Sequence, residues 1–392
     1  MNAISAKRTE FTRALDLAAS VIERRNVVPI LDAVKVSANG ALRFEATNLD
    51  TTASAEIAYE GPEEEAFALM SARAIKQAVN AARADFVSFA RVESKVEVES
   101  GPFKAKVGSL PGGDHPGAHR LAQPSFAVDV GSDVLDAIAR IVPAISTEET
   151  RYYLNGICIW KVGDWLYRLA ATDGHRLMIA DVALPGGEGA IPDRAIIPRE
   201  FIGLMLRHFA KSKEPIRLTF APGLRDNGKD KDLAPEPMAG CQRVSVRSRL
   251  GAVDFTLASK LIDGTYPEVE RVIPTGPTCY FEADRAAFLR ALECLSPMAN
   301  GKVRALKLSA VGEGIEVSSD CPDIGKAKIV VTGKHNLPGG YAIGFNGRYL
   351  RDALVAARGE VVRFELGDSG SPALIRDPAD TAFFSVLMPM RV

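Results

Sequence analysis

The chain has 392 residues, of which 47% are hydrophobic and 25% are charged, and its formal net charge at pH 7 is −1. The length predicts two or three domains, and the composition is that of a soluble globular protein. A general-purpose polyanion binder is usually basic, so in a chain of near-zero net charge any role with nucleic acid must depend on where individual charges lie.

The chain begins MNAISAKRTEF, which lacks the apolar core of a secretory signal. No apolar run further along is long enough to span a membrane. We therefore expect a cytoplasmic protein without a membrane partner.

Three copies of one order of elements follow, each with an amphipathic helix, a strand, a hairpin, a second helix and further strands. The first copy contains FTRALDLAASVIERRNVVPILDAVKV, LRFEATNLDTTASAEI and SARAIKQAVNAARADFVSF. The second contains VLDAIARIVPAISTEETRYYLNGICI, YRLAATDGHRLMIADV and PREFIGLMLRHFAKSKEPIRLTF. The third contains AAFLRALECLSPMANGKVRALKLSA, IEVSSDCPDIGKAKIVV and NGRYLRDALVAARGEVVRFEL.

Hydrophobic periodicity supports these assignments. In KVEVES, Val96 and Val98 alternate with charged residues, which is typical of an antiparallel strand with one polar face. The predicted fold class is therefore α+β, with three repeated domains of antiparallel sheet and two helices in each. Apolar residues recur at helical spacing in the first helix of each copy: Leu15, Ala18, Ala19 and Ile22; Leu135, Ile138 and Val142; Leu289, Leu292 and Leu295.

Two stretches rich in Gly and Pro, LPGGDHPGAHRLAQPS and VERVIPTGPT, mark the ends of the first two copies. They predict domains at residues 1–122, 123–274 and 275–392. Residues 221–242, APGLRDNGKDKDLAPEPMAGCQ, break the pattern of the second copy and predict a surface insertion between two strands.

The motif ATDGHRL contains the hairpin turn of the second copy, and its Asp173, His175 and Arg176 raise the question of catalysis. The equivalent turns, TNLD at 47–50 and DCPD at 320–323, contain no histidine. The chain has no GxSxG, HExxH, P-loop, GxGxxG, CxxC or paired-histidine motif. We therefore expect no catalytic residue, metal site or cofactor. An enzyme would need a nucleophile or a metal beside His175.

The motifs RYYLNG, ATDGHRL, SKLIDGTYPEVERVIP and the final MPMRV occur in this order, and they resemble the β subunit of bacterial DNA polymerase III, the sliding clamp family. The resemblance implies the ring-forming DNA clamp fold and a non-catalytic processivity factor. Two protomers would join head to tail around double-stranded DNA without reading its sequence. DNA polymerase, clamp-loader subunits and repair proteins would dock short peptides. A divergent paralogue that acts as a scaffold or an inhibitor is the alternative.

Helix packing gives an independent check on the ring. Six helices side by side, ~10 Å apart, would enclose a hole of only ~9 Å, whereas twelve would enclose ~28 Å. Duplex DNA passes only the larger hole, so two chains of six helices suit the task.

The resemblance implies a peptide pocket between the second and third domains. Apolar and methionine side chains would form its floor, with histidine and arginine at the rim. Gly370 and Pro372 replace β-branched or small polar residues of the family pattern, so this wall is expected to differ in shape. The implied pocket residues are Leu154, Thr172, Gly174, His175, Arg176, Leu177, Pro267, Arg271, Val272, Asn346, Tyr349, Val386, Leu387, Met388, Pro389, Met390 and Arg391.

Two further sets of residues belong to the implied ring. The DNA-facing set is Arg25, Arg73, Lys76, Arg151, Tyr152, Arg199 and Arg207, and further candidates are Arg83, Arg140, Lys211, Arg290 and Arg351. Weak phosphate contacts from such residues favour sliding over fixed binding. The implied dimer interface joins Ala105 and Val107 of one protomer to Cys294 and Leu295 of the other.

Overall fold

The structure is a computed structural model, and it describes residues 3–23, 25–92, 94–117, 121–225, 236–298, 305–322 and 324–391. Six α-helices lie in these ranges, two in each sequence repeat, as the repeats predict. They are α1 Arg8–Ala18, α2 Ala72–Ala82, α3 Ser132–Ile141, α4 Arg199–Phe209, α5 Arg285–Leu295 and α6 Gly347–Ala356. In the described part of the chain, every helix is too short or too polar to cross a bilayer.

The strands follow the same repeats. The first repeat contains β1 Ile4–Lys7, β2 Val34–Asn39, β3 Ala41–Thr47, β4 Thr51–Ile57, β5 Glu64–Leu69, β6 Phe86–Val92, β7 Lys95–Ser100 and β8 Phe103–Pro111. The second contains β9 Phe126–Val130, β10 Gly156–Lys161, β11 Leu166–Thr172, β12 Arg176–Ala183, β13 Glu188–Gly189, β14 Ala195–Pro198, β15 Ile216–Arg225, β16 Glu236–Leu250 and β17 Val253–Lys260. The third contains β18 Cys279–Asp284, β19 Ala305–Val311, β20 Gly314–Cys321, β21 Gly325–His335, β22 Ala342–Asn346, β23 Val361–Leu366, β24 Ala373–Arg376 and β25 Phe383–Leu387.

The chain divides into two compact units, and the division passes through the second repeat. The first unit comprises Met1–Leu135, Leu184–Pro192 and Glu200–Leu261, and the second comprises Asp136–Ala183, Asp193–Arg199 and Ile262–Val392. The three domain boundaries expected from the sequence stay predictions.

Each unit contains one antiparallel sheet. In the first unit the strand order is β1-β6-β7-β8-β5-β2-β3-β4-β17-β16-β15-β9-β13. In the second it is β14-β10-β11-β12-β25-β24-β23-β18-β21-β20-β19-β22. The predicted α+β fold class, with antiparallel sheets and two helices per repeat, is confirmed.

Local sequence explains these elements. Val96 and Val98 of β7 are buried while Lys95 and Glu99 are exposed, as the alternation in KVEVES predicts. The side chain of Asn346 accepts the backbone N–H groups of Arg348 and Tyr349, and this cap starts α6.

The stretch 221–242 differs from the predicted insertion. Residues 221–225 continue β15 and residues 236–242 belong to β16, so both ends of the stretch are strands. The pairing shifts register between Pro222 and Leu224, and such an irregularity accommodates proline in a ladder. Composition predicted a loop, but backbone pairing extends the hairpin. The remaining residues of the stretch, 226–235, lie outside the described residues.

His115 predicts a pH dependence of stability. Its ring is buried, its Nδ1 accepts the N–H of Gly117 at 2.9 Å, and its Nε2 lies 3.3 Å from the carbonyl of Ala33. Burial lowers the pKa of His115 below its ordinary value of 6.5. A histidine with a depressed folded-state pKa stabilises the fold above its unfolded pKa, and this contribution is lost as pH falls through the folded value.

We expect the wild-type protein to lose stability as pH falls below about 6.5. Replacing His115 with Gln should make the decline shallower, and urea denaturation between pH 7.5 and pH 5 measures both slopes. Identical slopes would contradict this role for His115.

Candidate functional site

The turn between β11 and β12 is held together by its own side chains. The Thr172 hydroxyl donates to the carbonyl of Arg176 at 2.7 Å and accepts the N–H of Gly174 at 3.1 Å. One oxygen of Asp173 accepts the N–H groups of His175 and Arg176 at 3.0 and 3.1 Å. Gly174 has φ +88°, and a Cβ there would lie 2.5 Å from the guanidinium of Arg151. The sequence ATDG therefore specifies this turn.

Arg176 is buried and fully engaged inside the protein. Its side chain is 5% exposed and donates to Asp173 at 3.0 Å, to Asp352 at 2.7 Å and to the carbonyl of Pro143. Its guanidinium also lies 4.2 Å above the ring of Tyr349. The sequence predicted a rim residue that contacts ligands, whereas these contacts make Arg176 a tie between the turn, α6 and the loop after α3.

His175 is exposed at the surface of the turn. Its ring stacks on that of Tyr349, with 6.5 Å between centroids and 20° between planes. Burial raises the pKa of Tyr349, so its phenol stays protonated and can donate a hydrogen bond. Among the described residues, no hydroxyl, thiol or carboxylate side chain is hydrogen-bonded to the His175 ring. The pair offers a flat aromatic surface beside the turn.

A first cleft of about 350 Å³ opens beside this pair. Of the residues predicted for the pocket it brings together His175, Arg176 and Tyr349, and it also contains Arg199, which the sequence assigned to DNA. The loop after α3 forms the opposite wall. The other lining residues are Val142, Pro143, Ile145, Ser146, Thr147, Glu148, Asp173 and Arg348.

A second cleft of about 590 Å³ lies against the C-terminal tail. It brings together the predicted Pro389, Met390 and Arg391 with Gly370, the position where the family pattern changes. The other lining residues are Lys307, Ala342, Ile343, Gly344 and Ser369.

The tail runs between the two clefts and is fixed by its backbone. Met388 donates its N–H to the carbonyl of His175 at 3.0 Å, and Met390 donates to Gly344 at 2.9 Å. The Met388 side chain is 43% exposed. We call the two clefts and this exposed tail the docking surface.

Four residues predicted for the pocket belong instead to the buried core. Leu154, Leu177, Val386 and Leu387 are each no more than 4% exposed. The first three pack in one cluster with Cys158, Trp160 and Tyr266. Burial raises the pKa of Cys158 to about 12, so its thiol is not a nucleophile. In this conformation these side chains support the docking surface and offer little area to a ligand.

The remaining pocket predictions lie outside both clefts. Pro267, Arg271 and Val272 are exposed in the segment that precedes β18, and Arg271 pairs with Glu268 at 2.5 Å. Asn346 caps α6, as described above. Their role in docking stays a prediction.

The predicted DNA-facing residues differ in whether their side chains are already paired within the protein. Arg73 donates to the carbonyl of Ile22 at 2.9 Å, and Lys76 pairs with Asp16. Arg151 makes two hydrogen bonds to Glu148, at 2.8 and 2.6 Å, which raise its pKa. The remaining members, Arg25, Tyr152, Arg199 and Arg207, are exposed, as are the further candidates Arg83, Lys211, Arg290 and Arg351.

Arg140 is the candidate that the structure removes from this set. It pairs with Asp380 at 2.7 Å, donates to the carbonyl of Ala356 at 2.7 Å and lies 4.0 Å above the ring of Phe383. All three contacts lie inside the second unit, so its guanidinium is not available to phosphate.

The predicted interface residues differ in how much of each is exposed. Ala105 and Val107 are half-buried on β8, and Cys294 is exposed at the end of α5. Leu295 is 2% exposed and belongs to the core side of α5. It cannot contribute surface to a partner in this conformation.

The sequence did not identify several cleft residues, notably Arg348 and the loop at residues 142–148. Arg348 directly precedes Tyr349, so its position could have been inferred from the predicted start of α6. No local sequence pattern places this loop at the cleft. Its position depends on the hydrogen bond between Arg176 and the carbonyl of Pro143, which are 33 positions apart in sequence.

The chain is similar to known proteins along its full length. Family models of the DNA polymerase III beta subunit match its N-terminal domain at residues 2–119, its central domain at 129–268 and its C-terminal domain at 270–391. The beta sliding clamp of Caulobacter vibrioides is 31% identical over 99% of this chain and 100% of its own length. The beta sliding clamp of Pseudomonas aeruginosa is 27% identical over 98% of this chain and 99% of its own length.

Solved structures agree. The DnaN sliding clamp of Bartonella birtlesii, bound to griselimycin, has a TM-score of 0.85 and 30% identity with full coverage of both chains. The DNA polymerase III beta subunit of Pseudomonas aeruginosa has a TM-score of 0.86 and 26% identity, again with full coverage of both chains. The chain therefore belongs to the DNA polymerase III beta subunit family, the sliding clamps of DNA replication.

Proposed function

We propose that the protein acts as a non-catalytic processivity factor: two chains close head to tail around duplex DNA and hold replication and repair proteins through the docking surface. The observation that supports the ring is the strand pairing that joins successive repeats within the chain. The fourth strand of the first repeat, β4, pairs with the last strand of the second, β17. The corresponding β12 pairs with β25, the last strand of the third repeat.

In the described part of the chain, this joining rule leaves one strand of each kind, β8 and β21, that is not joined to another repeat. Among the described residues, positions 103–107 of β8 pair only with β7, because β5 pairs with β8 only from Ser109 onward. Positions 325–332 of β21 pair only with β20, because β18 begins to pair with β21 at Gly333. Open strand edges recruit further strands. Pairing β21 of one protomer with β8 of the next repeats the internal joint.

The side chains along these edges support a buried joint. Phe103, Ala105 and Val107 alternate with exposed lysines on β8, and Ala327 and Ile329 do the same on β21. All five apolar residues are half-buried in the single chain. Joining the edges would cover them, as apolar residues at the centre of a stable interface are covered. Because the same pairing occurs at both ends of each chain, two chains can close.

The docking surface supports the second part of the proposal. Its clefts have volumes in the range of ligand sites, and exposed Met388 and half-buried Met390 offer adaptable apolar contacts. The Bartonella birtlesii clamp has been solved with griselimycin bound. A cytoplasmic location follows from this role in replication.

Retention on DNA tests the ring. The protein should remain on nicked circular DNA after loading, through gel filtration in high salt, and should dissociate when a restriction enzyme linearises the circle. A scaffold that never encircles DNA would not be retained on the circle at all. Retention that survives linearisation would indicate site-bound contacts and contradict the topological mechanism.

A further inference from the structure

The docking surface carries positive charge that the protein itself leaves unneutralised. The first cleft is lined by three arginines and two acidic residues. Both acids are already occupied: Glu148 holds Arg151 at 2.6 Å, and Asp173 holds Arg176 at 3.0 Å. Among the described residues, Arg199 and Arg348 therefore face this cleft without an ion pair.

The second cleft repeats this imbalance. Its lining contains Lys307 and Arg391, both exposed, and no acidic residue. Asp368 is the acid nearest along the chain to the lining residues Ser369 and Gly370. Its carboxylate accepts the N–H of Gly370 at 2.8 Å and is therefore engaged within its own loop. Among the described residues, four cations without an ion pair thus line the two clefts of a chain whose formal net charge is −1: Arg199, Arg348, Lys307 and Arg391.

Apolar surface lies beside each pair of cations. Half-buried Tyr349 lines the first cleft, and half-buried Pro389 and Met390 line the second. The tail between them has already used its N–H groups of Met388 and Met390 within the protein. An occupant therefore gains mainly from apolar anchors and from negative charge placed at the cleft rims.

We propose that the docking surface selects partner segments in which carboxylate groups flank the apolar anchors, with Arg348 and Arg199 acting at the first cleft and Lys307 and Arg391 at the second. This inference rests on the proposed docking function and specifies the chemistry of the partner. Charge complementarity of this kind contributes specificity and association rate more than total affinity. Exposed pairs are weak individually, so the preference arises from several cations together.

Two synthetic peptides test the selectivity. Both carry the same Leu and Phe anchors and are acetylated and amidated to remove terminal charges. They differ only in having Asp or Asn at the positions on either side of the anchors. We expect the Asp peptide to bind wild-type protein roughly three- to tenfold more tightly at low salt. The preference should fall toward unity in about 0.5 M NaCl, where exposed charges are screened.

Variants assign the preference to residues. Arg348→Ala and Lys307→Ala should each reduce the preference for the Asp peptide, measured in each variant as the ratio of the Asn-peptide to the Asp-peptide dissociation constant. Lys161→Ala, an exposed lysine of the same unit that lines neither cleft, is the matched control and should keep the full preference.

The outcomes separate this inference from the function on which it rests. Equal affinities of the two peptides for wild-type protein would overturn the selectivity and leave the docking function standing. A preference that persists unchanged in the Arg348→Ala, Lys307→Ala double variant would also overturn it. Failure of both peptides to bind would overturn the docking function, and the selectivity with it.

Discussion

Replacing Arg176 with Ala should lower the free energy of unfolding of the second unit by about 3 kcal/mol and weaken peptide docking. The substitution leaves two carboxylates, Asp173 and Asp352, and the carbonyl of Pro143 without their shared donor. Their side chains are only 15% and 18% exposed, so water replaces the lost partner poorly. The turn and the loop then separate, and the first cleft loses its shape.

Tryptophan fluorescence during urea denaturation measures this effect directly. Both tryptophans of the chain, Trp160 and Trp165, lie in the second unit, and Trp160 packs in the core cluster below the docking surface. His175→Ala is the matched control, because the neighbouring residue is exposed; its stability should change by no more than about 0.5 kcal/mol. Equal unfolding midpoints for the two variants would show that Arg176 is not the tie that its contacts indicate.

The contrast between Arg176 and His175 shows what local sequence could predict. The motif ATDGHRL predicted the turn correctly, because Thr, Asp and Gly form it through bonds within five residues. It did not predict that Arg176 is buried. That burial depends on Asp352, which lies 176 positions further along the chain. A local sequence pattern cannot indicate a contact between residues so far apart.

The repeats made the helices and most of the strands predictable, since hydrophobic period and turn residues are local signals. Residues 221–225 and 236–242 show the limit of composition: Gly and Pro predicted a loop, and backbone pairing overrode them. Leu295 was predictable from the same signals. Its helical spacing from Leu292 places it on the core side of α5, with Cys294 turned outward, yet the family resemblance assigned both to the interface.

The placement of Leu295 changes how the dimer must be tested. Leu295→Asp would put an unpaired charge into the core of the third repeat and cost more than about 4 kcal/mol, so the resulting monomers would report unfolding. Val107 is half-buried on the open edge of β8, where a polar side chain can reach water in the single chain. Val107 is therefore the residue at which the interface can be broken without breaking the fold.

We expect Val107→Asp to give a folded monomer that is not retained on circular DNA. A charge within the proposed β8–β21 joint should weaken dimerisation at least about a hundredfold, equivalent to about 2.7 kcal/mol. Sedimentation velocity would show the monomer, and an unchanged unfolding midpoint would show that the fold persists. Val92→Asp provides the control, because Val92 is exposed at the turn between β6 and β7, away from the open edge. A dimer that survives Val107→Asp at the wild-type dissociation constant would mean that the chains do not join by adding β8 to β21.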